Sequence, residues 1–567
     1  MLKNDILKID WFIIDKNNIY KFIKNGSIEK YINNNKICYR VQRDLNIKSL
    51  KWKLPNSLSF KNNGEINISN LVMTKVLEIE KYAFANNKSL TNVIMPRVKL
   101  IGKCAFKNNI NLKSVSVPKV INFGYEAFSN TKFLDQIINL DKQKLAIIND
   151  ILIDGKYAKG EIIIPENVTK IAPKAFEHNS SLKSVNMPEI KIIEKHAFRS
   201  NTSLKSISIP KVITIGSYAF EDNTSLISVN APEVIRVNNS AFEGNTSLTN
   251  VSMPNVTHIG DGVFKNSINL RNIIIPSVIK IGGFAFANNE SLKSVNIPKV
   301  TTIEENTFIN NINLKNINMP NVTKIGDFAF EGNNSLTILN IPKVIEIEKS
   351  AFRYNTYLRR VNMPKVIKIG DSAFLGNILL KSINAPEVKW IGNWAFRENK
   401  SLISVNMPKV TTILPCAFKD NTSLTNVRIP NVYTIGSFAF ANNELLETVN
   451  IKKVKEIGDG AFERNNSLAS VNMPEVKEIG NRAFEGNRFL ASVNMPKVIK
   501  IGISSFQDNN RLKSVQMPNV TTIGNRAFKN NHSLSFEKSQ LPENMTNDDF
   551  KTLIEGSNWE KIITKIN

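Results

Sequence analysis

The sequence is poor in cysteine, the residue that builds disulfides and many zinc sites. Its 567 residues include only 3 Cys. They are odd in number and follow no fixed spacing, which excludes a regular disulfide framework and a cysteine-based zinc site. The three are Cys38, Cys104 and Cys416.

Histidine and catalytic motifs are scarce as well. The 4 His are scattered, with His178, His196 and His258 at unrelated positions. No glycine-rich phosphate loop, nucleophile elbow or H-E-x-x-H sequence occurs. We therefore expect a non-enzymatic protein with no catalytic residue, no cofactor and no metal site.

Long hydrophobic runs are also missing. No run approaches the roughly 18 apolar residues of a membrane span. The opening residues lack a basic stretch followed by about seven or more apolar residues, as a signal peptide requires. We expect a protein that is cytoplasmic or is exported by a non-classical or secretion-system route.

What the sequence has in excess is positive charge. It carries 74 Lys and Arg against 49 Asp and Glu, a formal net charge of +25. This balance favours anionic partners such as nucleic acid or another polyanion. Lysine outnumbers arginine, and Asn and Ile are abundant, so an AT-rich coding bias is the alternative explanation.

The dominant feature is a repeat of 22 residues. Phenylalanine marks it at Phe84, Phe106 and Phe128, and then every 22 residues from Phe176 to Phe528. A fixed period of this length predicts stacked coils, each in contact with its neighbours only. The twenty phenylalanines predict about twenty coils.

Each repeat contains the pattern of a short coil, as in NTSLKSISIPKVITIGSYAF from Asn201. The spacing of Leu204, Ile207 and Ile209 predicts a strand with one buried face. Pro210 ends the pairing of that strand because it has no N–H. One coil cannot cover its own apolar face, so we expect strands of successive coils to pair in parallel, roughly 4.8 Å apart.

Asparagine is the regular polar residue of the repeat. It follows the phenylalanine by three residues in eighteen of the twenty coils, and Thr131 and Ser267 replace it in the others. Its amide can bond carbonyl and N–H groups that remain free where a coil turns. We therefore expect these asparagines to face inward.

These residues resemble the BspA-like class of leucine-rich repeats, whose units read roughly L-x-x-I-x-I-P followed by V-x-x-I-G-x-x-A-F. The resemblance covers about residues 65–532. In MPKVIKIG from Met363, one residue separates proline from valine where many family members have two. The resemblance implies a right-handed parallel β-solenoid without catalytic residues, in a family associated with adhesion to host or matrix proteins.

The period divides the chain into five parts. The repeat blocks are residues 65–130 and 166–532, separated at 131–165 by a degenerate repeat in which the runs around Gly155 and Gly160 predict an inserted hairpin. Residues 1–64 are basic, lack the period and alternate apolar residues, which predicts a strand-rich N-terminal cap. Residues 533–567 carry helix signals, including the capping pair Ser557 and Glu560, which predict a helical C-terminal cap.

The central coils depart most from the template because they gain aromatic and arginine residues, which are typical of binding hot spots. Trp394 shares its repeat position with Phe284 and Phe328, so scaffold packing is an alternative interpretation for it. The candidate partner-binding residues are Tyr354, Tyr357, Arg359, Arg360, Trp390, Trp394, Arg428 and Tyr433.

A second hypothesis rests on lysines that share one repeat position and would lie near 4.8 Å apart in a stack, as a polyanion-binding row. They are Lys183, Lys205, Lys293 and Lys315. Glutamates interrupt a neighbouring lysine row, which favours a mixed solvated face there. The leading hypothesis is a microbial adhesin-like or host-directed scaffold for protein partners, and the alternative is binding of nucleic acid or glycosaminoglycan.

Overall fold

Two short β-strands in every repeat build the fold. The computed structural model describes residues 76–534 and the strands Leu7–Lys8, Ile28–Asn33, Lys36–Val41 and Asn70–Val72. The chain divides into an N-terminal unit, residues 1–245, and a C-terminal unit, residues 246–567. Each unit is a parallel β-solenoid, and together they contain about twenty turns.

Positions within a coil are numbered here from its phenylalanine, which is position 0. The first strand occupies positions 8–10, and the second strand occupies positions 16–17. Ser294–Asn296 pairs in parallel with Asn316–Asn318 of the next coil, and Thr302–Ile303 pairs in the same way with Lys324–Ile325. The first strand is short because the proline at position 12, such as Pro298, has no N–H to donate.

The N-terminal unit contains two rows of strands. The first row is Asn70–Val72, Asn92–Ile94, Ser114–Ser116, Gly160–Ile163, Leu182–Asn186, Ser206–Ser208 and Ser228–Asn230. The second row is Glu78–Ile79, Leu100–Ile101, Asn122–Phe123, Ile151–Asp154, Lys170–Ile171, Ile192–Ile193, Thr214–Ile215 and Arg236–Val237.

The C-terminal unit repeats the same arrangement. Its first row is Asn250–Ser252, Asn272–Ile274, Ser294–Asn296, Asn316–Asn318, Ile338–Asn340, Arg360–Asn362, Ser382–Asn384, Ser404–Asn406, Asn426–Arg428, Thr448–Asn450, Ser470–Asn472, Ser492–Asn494 and Ser514–Gln516. Its second row is His258–Ile259, Lys280–Ile281, Thr302–Ile303, Lys324–Ile325, Glu346–Ile347, Lys368–Ile369, Trp390–Ile391, Thr412–Ile413, Thr434–Ile435, Glu456–Ile457, Glu478–Ile479, Lys500–Ile501 and Thr522–Ile523.

The degenerate segment between the repeat blocks contains a helix that the sequence analysis did not predict. Helix α1 is Lys132–Leu140, and the hydroxyl of its N-cap Thr131 accepts from the backbone N–H of Leu134. A hairpin follows, in which Ala146–Ile148 pairs antiparallel with Ile151–Asp154. The run at Gly160–Ile163 is not part of this hairpin, because it pairs in parallel with Leu182–Asn186.

The chain ends are described only in part. Strands Ile28–Asn33 and Lys36–Val41 form an antiparallel hairpin within the segment predicted as a strand-rich cap. The rest of that cap, apart from Leu7–Lys8, and the predicted helical cap from residue 535 onward lie outside the described residues, so both caps remain predictions. No described helix is long and apolar enough to cross a membrane.

A column of phenylalanine rings lies in the core of each unit. Phe330 is 0% exposed, and its ring centroid lies 5.2 Å from those of Phe308 and Phe352, with nearly parallel planes. Leucine, valine, isoleucine and alanine fill the other inward positions, as at Leu336, Val344 and Ile347. Each ring is therefore in contact with the coils on both sides.

The coils are also joined along the turn that carries the phenylalanine. The backbone N–H of Phe330 donates to the carbonyl of Ala351 at 2.8 Å, and the same bond recurs from Phe308 to Ala329. This turn places residues at positions 20 and 2 in the left-handed region, including Phe328 at φ 55 and Tyr354 at φ 57. That region is unfavourable for side chains other than glycine, so the bonds between coils must stabilise it.

All the asparagines at position 3 except Asn87, which is half-buried, are buried as predicted. Asn377 is 0% exposed, and its Nδ2 donates to the carbonyls of Phe352 at 3.0 Å and Phe374 at 2.8 Å. One amide thus bonds the turns of two coils. The prediction that asparagine satisfies the backbone where the coil turns is confirmed.

Candidate functional site: the exposed rows of the coil

Each coil exposes three separate sets of side chains. Positions 7, 8 and 10 lie at the first strand, positions 13, 15 and 16 lie before and at the second strand, and positions 20, 2, 4 and 5 lie on and after the phenylalanine turn. Residues at the same position in adjacent coils are neighbours because the strands pair in register, as Arg360 does with Ile338 and Ser382. The surface of a unit is therefore a set of parallel rows.

Two of the predicted binding residues lie on the phenylalanine turn. Tyr354 packs over Gly376, where an added Cβ would be 2.5 Å from the tyrosine ring. The guanidinium of Arg353 stacks 4.4 Å from the centroid of that ring. Trp394, at φ 55, is 44% exposed. Tyr354 is thus already engaged with its own coil and the next one.

Two others lie at the second strand. Trp390 is paired in register with Lys368 and Thr412, and the Nζ of Lys368 lies 6.0 Å from its ring centroid. Tyr433 precedes the strand Thr434–Ile435 and has the Nζ of Lys455 5.9 Å from its ring centroid. These aromatic side chains therefore belong to the second-strand rows and not to the turn.

The remaining four lie on the side of the first strand. Tyr357 is 55% exposed, and it leads into Arg359 and Arg360, both exposed. Arg428 occupies position 10 three coils further along. The structure therefore brings Tyr357, Arg359 and Arg360 together and places the other five candidates elsewhere.

The neighbours of Tyr357 in the next coil were not selected from the sequence. Leu379 occupies the same position 5 as Tyr357, and Ile378 beside it is 41% exposed. We call Tyr357, Ile378 and Leu379 the apolar cluster. A comparison of position 5 across the repeats would have found it, because serine or asparagine stands there in most coils.

The four lysines of the polyanion hypothesis all lie at position 7 and are exposed, with Lys183 and Lys205 in the N-terminal unit and Lys293 and Lys315 in the C-terminal unit. Four further cations share their row in the C-terminal unit, and one of them, Lys513, lies six coils beyond the others. We call the five cations between residues 271 and 381 the basic strip. It consists of Arg271, Lys293, Lys315, Arg359 and Lys381.

In other rows, some cations pair with a glutamate of an adjacent coil. At position 13, Lys409 Nζ lies 2.6 Å from Glu387 Oε2, and Lys497 Nζ lies 2.8 Å from Glu475 Oε1. Lys324, at position 16, lies 2.9 Å from Glu348. Among the described residues, none of the five basic-strip side chains has an ion pair or hydrogen bond.

A polar groove follows positions 2 and 4 through six coils of the C-terminal unit. Its volume is about 830 Å³, and both acidic and basic side chains line it, among them Glu398, Lys400, Glu444 and Arg488. Part of its charge is already paired, since Asp420 accepts hydrogen bonds from Arg397 and Asn442. The sequence analysis did not select these residues because each is an ordinary solvated type.

Of the titratable groups in the described part of the chain, His196 has the largest shift of pKa. Burial, assisted by the nearby Lys195 charge, lowers the pKa of His196 to about 4, and its ring stacks 4.9 Å from that of Tyr218. Among the described residues, no three His, Cys, Asp or Glu side chains are grouped to hold a metal ion.

Several solved structures are similar to the chain. A leucine-rich repeat protein from Bacteroides ovatus is 23% identical, with a TM-score of 0.43, and the match covers 72% of this chain and 93% of that one. A leucine-rich repeat protein from T. pallidum is 24% identical, with a TM-score of 0.26 and coverage of 34% and 86%. The pneumococcal vaccine antigen PcpA is 14% identical, with a TM-score of 0.25 and coverage of 74% and 95%. No curated protein matches the chain significantly.

The family is identified by the repeats themselves. The profile of the BspA type leucine rich repeat region (6 copies) matches residues 53–183, 156–267, 235–359, 345–468 and 434–553, which overlap to cover most of the chain. Proteins of this repeat class are commonly protein-binding and generally non-enzymatic scaffolds. The chain belongs to the BspA-type leucine-rich repeat family.

Proposed function

We propose that the protein is a non-enzymatic scaffold that binds a protein partner through the apolar cluster and the arginines beside it. The observation that carries the proposal is Tyr357, which is 55% exposed next to apolar side chains of the following coil. A large aromatic side chain surrounded by arginine is the composition of a binding hot spot. In most other coils, small polar residues occupy position 5.

The chemistry of the cluster defines the partner. Arg359, Arg360 and Lys381 follow the apolar side chains by two or three residues, are exposed, and have no carboxylate partner among the described residues. A complementary surface therefore has an apolar centre and an acidic rim. The adhesin-like role associated with the family supports a host or matrix protein as the source of that surface.

The test uses substitutions taken from the chain's own repeats. The variant Y357S/I378T/L379S introduces the residues found at the same positions in Ser335, Thr356 and Ser401. The control W390T/Y433T removes two aromatic side chains at the second strand and introduces the residues of Thr412 and Thr411. Both variants should retain the wild-type circular dichroism spectrum and a melting temperature near that of the wild type, because every changed side chain is exposed or half-buried.

The partner is identified by photo-crosslinking. A photo-crosslinking amino acid replaces Tyr357 in one version of the protein and Tyr433 in a second version. The affinity of the partner for the purified scaffold is then measured by calorimetry. We expect the cluster variant to lose about tenfold or more in affinity and the control to lose less than about threefold. Equal losses of affinity in both variants, or crosslinks that form only from residue 433, would contradict the proposal.

A further inference from the structure

The basic strip occupies an unusual position on the C-terminal unit. Five of six consecutive coils carry Arg or Lys at position 7, and only Thr337 interrupts the run. All five side chains are exposed at the start of the first strand. The strip is therefore a line of cations on one face and not a scattered surplus of charge.

The backbone fixes the spacing of this line. The N–H of Lys315 donates to the carbonyl of Lys293 at 2.9 Å, and the N–H of Lys381 donates to the carbonyl of Arg359 at 2.9 Å. Three of the five steps from Arg271 to Lys381 lie beside paired strands. Adjacent positions on paired strands lie about 4.8 Å apart, and five steps of this size extend about 24 Å. A ligand that binds the whole strip must itself be linear.

The strip carries no compensating acid. Positions 7, 8 and 10 of these six coils contain no Asp or Glu, and Arg360 at position 8 adds a sixth cation. At position 13 of the same unit, by contrast, Glu387 and Glu475 each bind the lysine of the next coil. The charge of the strip is thus left for an external anion.

A neutral hydrogen-bonding row lies beside the cations. At position 10, Asn318 Nδ2 donates to Asn296 Oδ1 at 2.8 Å, and Asn384 Nδ2 donates to Asn362 Oδ1 at 2.7 Å. Each amide has a second N–H and a second lone pair that this ladder does not use. These groups are suited to the hydroxyl groups of a ligand.

Aromatic residues are missing from the same rows. Positions 7, 8 and 10 of the six coils contain no Phe, Tyr or Trp. Proteins that bind single-stranded nucleic acid without sequence preference stack successive bases on aromatic side chains. These three rows offer no such series of rings, and Tyr357, at position 5, is a single exposed ring beside them. Sulfate groups and sugar hydroxyls need only the cations and amides that are present.

We propose that the basic strip binds a linear sulfated polysaccharide, with sulfates on Arg271, Lys293, Lys315, Arg359 and Lys381 and hydroxyls on the asparagine ladder. The proposal does not depend on the protein-binding role of the apolar cluster, although Arg359 and Lys381 border both surfaces. Binding weakens as salt rises because the sulfate contacts are exposed ion pairs.

The test measures heparin affinity by calorimetry at two salt concentrations with the full chain. The strip variant R271T/K293T/K315T/R359T/K381T introduces threonine, which stands at position 7 as Thr249 and Thr337. The control K299N/K343N/K365N/K409N/K453N removes the same charge at position 13, where Asn321 and Asn431 occur. We expect about a tenfold or greater loss for the strip variant and less than about threefold for the control.

Three results would overturn the proposal. They are undetectable heparin binding by the wild type, equal losses in both variants, and tighter binding of a single-stranded DNA of equal charge than of heparin. Selectively desulfated heparin should bind at least about tenfold more weakly than heparin, and equal binding would also reject sulfate as the recognised group. The Y357S/I378T/L379S variant should bind heparin like the wild type, which keeps this test separate from that of the protein partner.

Discussion

The rows at positions 7 and 13 of the C-terminal unit are both rich in lysine, yet their electrostatic states differ. At position 13, glutamates of adjacent coils pair with Lys409 and Lys497 at 2.6 and 2.8 Å. At position 7, all five charged residues from Arg271 to Lys381 are cations. The comparison teaches that net charge alone does not locate a binding surface, because the residue one repeat away decides whether a cation is free.

The largest effect on stability is expected from breaking the column of phenylalanine rings, which aligns the rows at positions 7 and 13. Phe330 is fully buried between Phe308 and Phe352, so F330A should lower the free energy of unfolding by about 3–5 kcal/mol through the cavity it leaves. Urea denaturation followed by circular dichroism measures the loss. F330L should cost less, and an unchanged midpoint for F330A would show that the column does not support the rows.

The second-largest effect on stability is expected from substituting an asparagine at position 3. Asn333 Nδ2 donates to the carbonyl of Phe308 at 3.0 Å inside the core. N333A leaves that carbonyl without its donor and should cost about 1–3 kcal/mol in unfolding free energy. N333S should cost less, because Ser267 occupies this position naturally. Equal denaturation midpoints for the two variants would argue against the amide role.

A single acidic substitution at position 7 can introduce an ion pair of the kind that is found at position 13. T337E places a carboxylate between Lys315 and Arg359, where it can pair with either cation. We expect heparin affinity to fall about threefold to tenfold while the melting temperature stays near the wild-type value. T337Q is the uncharged control. A heparin affinity that T337E leaves unchanged would show that the row does not act as one line.

The smallest effect should be seen at the paired row. The Lys409 and Glu387 side chains are 53% and 43% exposed. A double-mutant cycle with K409N and E387N should therefore give a coupling energy of only about 0.2–1 kcal/mol, which decreases in high salt. Denaturation at low and high salt measures it. A coupling well above this range would mean that the paired row is a structural element rather than a solvated face.

Much of the fold could be predicted from the sequence because the repeat leaves few choices. The spacing of phenylalanine, the alternation around Ile207 and the proline after it define a short parallel strand that must pair with the next coil. The regular occurrence of asparagine at position 3 predicted that these residues are buried, because such regularity indicates a role in bonding the backbone. Helix α1 was missed because its segment was interpreted as a degenerate repeat, although Leu134 and Ile138 have helical spacing.

The candidate site was less predictable, because sequence proximity does not tell which row a residue joins. Tyr354 and Tyr357 are three residues apart, yet the left-handed backbone at Tyr354 directs its ring along the turn and over Gly376. Trp390 was predicted as a binding residue because of its residue type, but it lies at the second strand of its coil. Aligning each position across all coils groups the residues correctly, as it does for Arg271 and Lys381.

The buried asparagines affect how the protein can be produced. Asn179, Asn201, Asn223, Asn245 and Asn421 each begin an Asn-x-Ser triplet, and all five are buried. In a eukaryotic secretory pathway, such triplets accept glycans on surface loops. A sugar attached to the unfolded chain at these residues would have no space between stacked coils. Production in a host or compartment without N-glycosylation avoids this obstacle, and glutamine substitutions would not repair it without disturbing the core.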